Sequence, residues 1–364
     1  MDLEFFNRIL NIDSTSGKEA ELADFMSAEL AAPGRKVEVF AVGDGTKNIL
    51  VSWGAPKVIF CSHLDTVPPY MALETNGDVI SGRGTCDAKG QIFAMYEACK
   101  ALEAEGYDGF ALLLLAGEET GSFGAKAFNA MAQEEEWAER LKDAWVVVGE
   151  PTDNHMASAA KGTKSFEVTF TGKPFHSGYP ENGISAVELF NDFINALRSI
   201  VFPKDPVLGE TTWNVGKLLS DNPQNILSDR LTCRVYFRTT FESDEMVCNI
   251  MKNIAGPAAK LRFGRRKVQD GSDIVAKDVA PWQERMAVKA FGGDTPTKFE
   301  VLEGFPTKPV SFGSDAPQLK CFDHKILCGP GSILVAHRDE EHINLHDLRT
   351  AIDQYIEMYR KISL

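Results

Sequence analysis

Apolar residues along this chain form continuous runs that end abruptly in charged or polar residues. Three of these runs are residues 58–61, 112–116 and 145–148, and they precede Ser-His-Leu-Asp, Gly-Glu-Glu and Gly-Glu-Pro. Continuous apolarity marks strands that are covered on both faces, as in a largely parallel sheet between helices. A helical pattern at residues 88–105 separates the first two runs. The pattern therefore predicts an α/β fold whose polar residues gather at the carboxyl ends of the strands.

Other elements of this α/β part are predicted toward the two ends of the chain. Ser16 and Glu19 have the spacing of a capping box, which predicts an amphipathic helix from about residue 17. Residues 36–41 and 48–53 are predicted strands. A final helix repeats apolar residues at every third or fourth position, namely Leu345, Leu348, Ile352, Tyr355, Ile356 and Tyr359.

The pattern changes near residue 160. It predicts a strand, a helix, two strands, a helix and a strand at residues 164–171, 184–200, 211–219, 227–237, 244–254 and 260–268. This order is typical of a ferredoxin-like unit, which can fold as an inserted domain. We therefore predict one domain from residues 1–161 and 273–364, helix-rich again from Trp282, and a second domain at residues 162–272.

The composition agrees with a globular protein of about two domains. The chain has 364 residues, of which 44% are hydrophobic and 25% charged, so disorder and fibrous repeats are excluded. Lys and Arg number 38 against 52 Asp and Glu, which gives a net charge of −14. Such a surface repels phosphate backbones and anionic membranes. We expect neither nucleic acid nor a membrane among the partners.

Three features favour a cytoplasmic location. The first ten residues lack the basic and apolar regions of a signal peptide. The longest apolar run, residues 110–116, is far shorter than the roughly 20 residues that cross a bilayer. The seven cysteines are scattered without any CxxC pair, which argues against a disulfide framework or a zinc finger and fits a reducing compartment.

Potential metal ligands follow the apolar strands or lie in glycine-rich loops. They are His63, Asp87, Glu118, Glu119, Glu150 and His337. One such residue alone is more often structural than a ligand. Their convergence at one edge of a sheet favours a metal centre, and imidazole with carboxylate donors suits zinc, or cobalt or manganese in its place.

The motifs carrying these residues resemble a known family when taken in order. They are SHLDTVP, GRGTCDAKG, GEE, GEPT and a late histidine in AHRDEEHI. The pattern is similar to the dinuclear zinc aminoacylase and carboxypeptidase family, which includes acetylornithine deacetylase, succinyl-diaminopimelate desuccinylase and glutamate carboxypeptidase. The resemblance implies a zinc-dependent exopeptidase-like catalytic domain with a mostly parallel central sheet. It also implies that the inserted ferredoxin-like domain is a lid and a dimerisation domain.

The resemblance assigns roles to the candidate ligands. It implies that His63 and Glu150 hold one zinc ion, that Glu119 and His337 hold the other, and that Asp87 bridges both. Two Zn²⁺ would be nearly balanced by three carboxylates and one hydroxide. The resemblance further implies that Asp65 bonds the imidazole nitrogen of His63 that does not hold zinc and thereby fixes the tautomer of His63.

The same resemblance makes Glu118 the general base for amide hydrolysis by a metal-bridging water. It implies that His176, in TGKPFHSGYPENG, stabilises the oxyanion in the active site of a partner subunit. Asn225 and Arg238 match positions that hold a substrate carboxylate, and Gly331 matches a loop beneath the substrate. A guanidinium fork suits a bidentate carboxylate. Because His176 would serve the active site of a partner subunit, a homodimer is expected.

The expected function is removal of an acyl group from an N-acyl amino acid, as in acetylornithine deacetylase of arginine biosynthesis. Desuccinylation of diaminopimelate or ornithine, and dipeptide or carboxypeptidase cleavage, remain alternatives. A non-catalytic binding protein that retains the fold is a further one. After Gly313-Ser314-Asp315-Ala316 the chain has Pro317-Gln318, where the biosynthetic deacetylases usually have an arginine. The sequence leaves the substrate side chain, the preferred metal and the need for a dimer open.

Overall fold

The computed structural model describes residues 1–43, 45–255, 265–267, 273–275 and 281–363. These form two compact units. The first comprises Met1–Ser158, Lys298–Val310 and Ser314–Leu364, and the second comprises Ala159–Thr297 and Ser311–Gly313.

The strands, numbered in chain order, are β1 Lys36–Gly43, β2 Thr46–Trp53, β3 Val58–His63, β4 Glu74–Asn76, β5 Val79–Ser81, β6 Phe110–Leu115, β7 Trp145–Val148, β8 Met156–Ala160, β9 Gly162–Thr171, β10 Thr212–Leu219, β11 Arg230–Thr239, β12 Arg265–Lys267, β13 Asp273–Val275, β14 Met286–Gly292, β15 Thr297–Lys298, β16 Thr307–Val310, β17 His324–Leu327 and β18 His342–Asn344. The helices are α1 Leu3–Leu10, α2 Ala20–Glu29, α3 Lys89–Ala104, α4 Phe123–Met131, α5 Glu135–Arg140, a 3-10 helix Pro180–Asn182, α6 Ala186–Arg198, α7 Asp244–Asn253, α8 Pro281–Glu284 and α9 Leu345–Ser363.

The first unit is built on a sheet with the strand order β1-β2-β6-β3-β7-β17. The last four strands of this order run parallel, and β1 and β2 are antiparallel additions at one edge. Every residue of β3 and β6 is buried, as expected for strands that helices cover on both faces. The predicted α/β fold with a mostly parallel sheet is confirmed.

Helices complete the core of the first unit. α3 packs against α9 and against strands β3 and β6. The N-terminal helix α1, which the sequence analysis did not predict, buries Phe5, Phe6, Ile9 and Leu10, and the ring of Phe6 stacks on that of Phe93 at 4.6 Å. Burying such a side chain contributes about 1.5–3 kcal/mol relative to leaving it exposed. This packing surrounds the strands whose ends carry the candidate ligands.

The second unit has the predicted ferredoxin-like order of strand, helix, strand, strand, helix, strand. Its antiparallel sheet runs β10-β11-β9-β14. Apolar residues that alternate along the central strands β9 and β11 face helices α6 and α7, among them Val168, Phe170, Val235 and Phe237. A continuous small core therefore lies between this sheet and the two helices.

The last strand of this unit differs from the prediction. The strand predicted at residues 260–268 lies largely outside the described residues, and its described part, β12, pairs with β13 instead of with the main sheet. The fourth strand of the sheet is β14, where the sequence analysis expected helix. Since β14 pairs with β9, the second unit continues to Thr297 instead of ending at residue 272.

The predicted capping box is also wrong. Helix α2 begins at Ala20 and has no side-chain hydrogen bond at its cap. The Ser16 hydroxyl instead donates to the Asp65 carboxylate at 2.9 Å, and the Glu19 carboxylate accepts the N–H of Gly17 at 2.8 Å. A tertiary contact of Ser16 and a local contact of Glu19 have replaced the reciprocal cap.

Among the described residues, no helix combines the length and the apolarity that crossing a bilayer requires.

Candidate active site

Four candidate residues stand at the ends of neighbouring parallel strands. His63 is the last residue of β3, Glu118 and Glu119 follow β6, and Glu150 follows β7. β3 lies between β6 and β7 with all three parallel, so the strand ends meet at one edge of the sheet. The structure therefore brings together strand ends that are far apart in the sequence. The hydroxyl of Ser62, for example, donates a hydrogen bond to the backbone carbonyl of Gly149, 87 positions later.

Asp87 lies between two imidazoles. Its Oδ1 is 3.1 Å from Nε2 of His63, and its Oδ2 is 3.2 Å from Nε2 of His337. His337 Nε2 also lies 2.8 Å from Oε1 of Glu119. Each oxygen of this carboxylate therefore faces a different histidine, as a bridge between two cations requires.

The candidate ligands form three overlapping groups whose donor atoms lie within 4.8 Å of one another. The groups are His63 with Asp87 and Glu150, Asp87 with Glu119 and His337, and His63 with Glu118 and Glu119. All five predicted metal ligands and the predicted base thus belong to one connected cluster. Of its histidines, His63 is buried, and the side chain of His337 is 48% exposed.

The electrostatics of the cluster fit bound cations. Burial, followed by the negative charges of Asp315, Glu119 and Asp87, raises the pKa of Glu118 well above its usual range. Burial and the charge of Asp87 likewise raise the pKa of Glu150, whose Oε1 is buried without a hydrogen-bond partner in the described residues. Buried carboxylates of this kind need opposite charge nearby. A divalent ion would supply both the charge and the missing contact.

Proximity to histidine has the opposite effect on Asp87. Burial alone would raise its pKa, but hydrogen bonds from His337 and His63 hold the pKa of Asp87 below its ordinary value. Hydrogen bonding to Asp87 and Glu119 raises the pKa of His337 to about 10. The donor set is imidazole nitrogen and carboxylate oxygen, which fits zinc, cobalt or manganese. The nearby Cys86 thiol donates to the carbonyl of Ser332 at 3.4 Å.

Asp65 contacts His63 differently from the prediction. The closest partner of His63 Nδ1 is the backbone oxygen of Asp65 at 2.9 Å, and the Asp65 carboxylate is 3.4 Å away. The carboxylate accepts the backbone N–H groups of Glu118 and Glu119 at 2.9 and 3.1 Å. Asp65 therefore fixes both the imidazole and the loop that carries the two glutamates.

Two buried acids near the cluster were missed by the sequence analysis. Asp315 lies in the GSDA segment and contributes to the raised pKa values of Glu118 and Glu150. Glu341 is completely buried and hydrogen-bonds the backbone of Asp87. Asp315 had no distinguishing spacing in the sequence, and Glu341 lies in an Asp-Glu-Glu run that resembles an exposed acidic turn. Only tertiary contacts identify them.

Gly331 lies next to the segment that carries Asp87. Its φ of 77° is in the left-handed region, and a Cβ atom there would be 2.6 Å from the Sγ of Cys86. Glycine is therefore required for the turn to approach this segment so closely. Its role beneath a substrate stays a prediction.

The remaining predicted residues belong to the second unit. The segments of His176 and Asn225 are adjacent, because Ser177 N–H donates to the carbonyl of Asn225 at 2.9 Å, and both side chains are exposed. Arg238, on β11, is half-buried with its guanidinium 5.1 Å from the ring centre of Tyr236. Within the described residues, Arg238 forms no hydrogen bond or ion pair with a carboxylate.

Comparison with known proteins agrees with this site. A model of peptidase family M20/M25/M40 matches residues 59–361. A protein named "Probable carboxypeptidase" from Aspergillus terreus is 30% identical, with 97% of this chain and 84% of the relative covered.

Solved structures show the same fold. A tripeptidase from Staphylococcus aureus has a TM-score of 0.76 at 20% identity, with 99% of this chain and 97% of the other covered. An M20 family metallo-carboxypeptidase from Sulfolobus solfataricus has a TM-score of 0.72 at 16% identity, with 100% and 99% covered.

The fold and the cluster of carboxylates and histidines, together with the family match, define a metal-dependent hydrolase of amide bonds. The chain belongs to peptidase family M20/M25/M40, since the match covers most of its length. The predicted enzyme class and fold are thereby confirmed. The three relatives named above are a probable carboxypeptidase, a tripeptidase and a metallo-carboxypeptidase, and none of them is named as an acetylornithine deacetylase.

Proposed function

We propose that this chain is a dinuclear metallo-exopeptidase that cleaves short peptides next to a free C-terminal carboxylate, as a carboxypeptidase or dipeptidase does. The observation that carries the proposal is the position of Asp87. Its two oxygens face different histidines at 3.1 and 3.2 Å. A carboxylate in this position suits a bridge between two ions.

His63 and Glu150 would hold one ion, and Glu119 and His337 the other, with Asp87 between them. We propose zinc as the natural metal, with cobalt and manganese as substitutes, because nitrogen and oxygen donors suit all three. Five ligands including a bridge are too many for one tetrahedral ion. Two divalent ions would also offset the mutual repulsion of the buried carboxylates, including that of Glu118.

When bound, the ions supply Lewis acidity that polarises the scissile carbonyl and acidifies water. The Glu118 carboxylate accepts a proton from the attacking water while the water oxygen bonds to the carbonyl carbon. Glu118 then delivers that proton to the leaving nitrogen as the carbon–nitrogen bond breaks. Asp65 keeps this base in place through the backbone N–H of Glu118.

Recognition of a substrate carboxylate is assigned to Arg238, with Asn225 as a second donor and Gly331 in the loop beneath the substrate. The support for Arg238 is that no carboxylate within the described part of the chain pairs with it. A guanidinium presents two parallel N–H donors that match a carboxylate. Substrates with a free C-terminal carboxylate are therefore favoured.

We assign His176 to the active site of a second copy of the chain in a homodimer, where its ring would donate to the oxyanion that develops on the substrate. His176 is exposed, so its ring is accessible to another subunit. An oxyanion donor contributes about 10²–10³-fold to kcat. Each active site would then combine residues from two chains.

Removal of an acyl group from an N-acyl amino acid is the second candidate, and acetylornithine deacetylase is its best-defined form. Arg238, for which the described residues provide no carboxylate partner, favours it equally, since N-acyl amino acids also carry a free carboxylate. Pro317 and Gln318, at the place of the usual arginine, weigh against a biosynthetic deacetylase. The seven cysteines are all unpaired thiols in the structure, which supports our assignment of a reducing, cytoplasmic location.

A substrate screen tests the function. Protein loaded with Zn²⁺, Co²⁺ or Mn²⁺ is incubated with dipeptides and tripeptides, with the same peptides bearing C-terminal amides, and with N-acetyl and N-succinyl amino acids including N-acetylornithine. We expect cleavage of the free peptides and a large rise in KM for the amides. Glu118→Gln protein purified in parallel controls for contaminating peptidases. Equal cleavage of free and amidated peptides contradicts carboxylate recognition, and hydrolysis confined to acyl amino acids selects the second candidate.

A further inference from the structure

Glu341 connects the two loops that carry Asp87 and His337. Its side chain is completely buried, and its Oε1 accepts three backbone N–H groups, from Gly84 at 2.9 Å and from Cys86 and Asp87 at 3.1 Å each. A single carboxylate oxygen therefore fixes the backbone of the segment that ends in the proposed bridging ligand.

The other oxygen of Glu341 pairs with the buried guanidinium of Arg83. Arg83 in turn donates to the carbonyl of Pro69 at 3.2 Å and to that of Arg338, next to His337, at 3.4 Å. Gly82 N–H also donates to the carbonyl of Glu341 at 3.0 Å. The Glu341 segment is therefore held on both sides, by the Asp87 loop and by the His337 loop.

We propose that Glu341 is a positioning residue that sets the distance between Asp87 and His337 and thereby the affinity of the ion on the His337 side. This inference rests on the two-ion centre of the proposed function. Within the described part of the chain, the hydrogen-bond partners of the Glu341 carboxylate are backbone N–H groups and Arg83, so it acts through the ligands and not on the substrate.

The effect should be unequal at the two ions. On the His63 side, two of the three ligands, His63 and Glu150, stand at the ends of sheet strands, and the described residues show no hydrogen bond from the Glu341 side chain to either strand. On the His337 side, two of the three ligands, Asp87 and His337, stand on segments that Glu341 and Arg83 join. His337 also lies at a φ of 64°, a conformation that non-glycine residues adopt only where their surroundings enforce it.

Glu341→Gln is the sharpest perturbation because it preserves the size of the side chain. The amide oxygen can still accept the backbone N–H groups, but the amide nitrogen then faces the Arg83 guanidinium, donor against donor. Removing a partner that orients metal ligands typically lowers metal affinity about 10–100-fold. We expect a loss of this size for the ion on the His337 side and nearly unchanged affinity on the His63 side.

Glu103→Gln is the matched control. Glu103 also pairs with an arginine, Arg35, and its Oε1 accepts a hydrogen bond from the Trp53 indole at 2.8 Å. It belongs to none of the metal-ligand groups. A general loss of stability would affect both variants, whereas selective loss of one ion is expected only from Glu341→Gln.

The experiment titrates metal-free protein with Zn²⁺ against a chromogenic chelator, and anomalous diffraction at limiting zinc gives the occupancy of each position. Hydrogen exchange of the amides at residues 84–87 in metal-free protein is a readout that needs no metal, and it should accelerate in Glu341→Gln. If that variant does not fold, Arg83→Gln/Glu341→Gln, which leaves no unpaired buried charge, is measured by the same criteria. Wild-type protein that binds fewer than two ions contradicts the proposed centre. The role of Glu341 is overturned if wild-type protein binds two ions and the folded variant binds both with unchanged affinity, or with affinity that is lowered equally at the two positions.

Discussion

Asp65→Asn tests how the backbone around the proposed base is held. The Asp65 carboxylate accepts the N–H of Glu118 on one oxygen, at 2.9 Å. The other oxygen accepts the N–H of Glu119 at 3.1 Å and the hydroxyl of Ser16 at 2.9 Å. Asparagine keeps only one of these acceptor oxygens, so one backbone N–H of the glutamate pair must face an amide NH₂ group.

The magnitude follows from that lost acceptor. A hydrogen bond to a charged group contributes about 1.5–3 kcal/mol, so the free energy of unfolding of metal-free protein should fall by about that amount. The loop that carries Glu118 also loses one of its two anchors. Loss of a partner that orients active-site ligands typically costs about 10–100-fold, and we expect kcat to fall by this factor with the cleaved peptide unchanged.

The assay combines urea unfolding, followed by circular dichroism, with steady-state peptide hydrolysis at saturating metal. Asp205→Asn is the control, since Asp205 is a buried aspartate of the second unit that accepts the N–H groups of Val207 and Leu208 at 2.8 and 2.9 Å. It should lower stability without changing kcat. A folded Asp65→Asn enzyme with wild-type kcat would refute the anchoring role, and so would an equal loss of kcat in the control.

Three further variants test the assigned roles. Glu118→Gln should keep its metal but lose about 10²–10⁴-fold in kcat, and near-normal turnover would contradict its role as the base. His176→Ala should lower kcat about 10²–10³-fold. Mixing this variant with Glu118→Gln should restore activity, because a heterodimer has one site with both residues intact. Absence of recovery after verified subunit exchange excludes the assignment of His176 to a second subunit. Arg238→Gln should raise KM for free peptides far more than for their C-terminal amides, and an equal rise for both would show that it does not bind the carboxylate.

The sequence was sufficient for elements whose pattern reflects burial on both faces. The runs at residues 58–61, 112–116 and 145–148 became β3, β6 and β7 because helices cover both faces of the sheet. The residues that follow them meet at one edge as a consequence of parallel strands. The candidate metal ligands were therefore accessible from pattern and motif together.

Elements that depend on distant partners were not predictable in the same way. The strand β14 alternates only weakly and is defined by its pairing with β9, so it was expected to be helical. Ser16 had the spacing of a helix cap, but the buried carboxylate of Asp65 competes for its hydroxyl. Glu341 resembled a solvated acid, because the three N–H groups that it binds lie more than 250 positions earlier in the chain. Local propensity carries no information about such contacts.

The central claim is that one carboxylate, that of Asp87, is shared by two divalent ions. Elemental analysis of protein equilibrated with saturating Zn²⁺ and then dialysed against metal-free buffer tests it directly, with Asp87→Ala measured in parallel. We predict two ions per wild-type chain and loss of tightly bound metal in the variant, because Asp87 belongs to a ligand group on each side. A wild-type stoichiometry that stays at one at saturation, or an Asp87→Ala variant that retains both ions, would contradict the account.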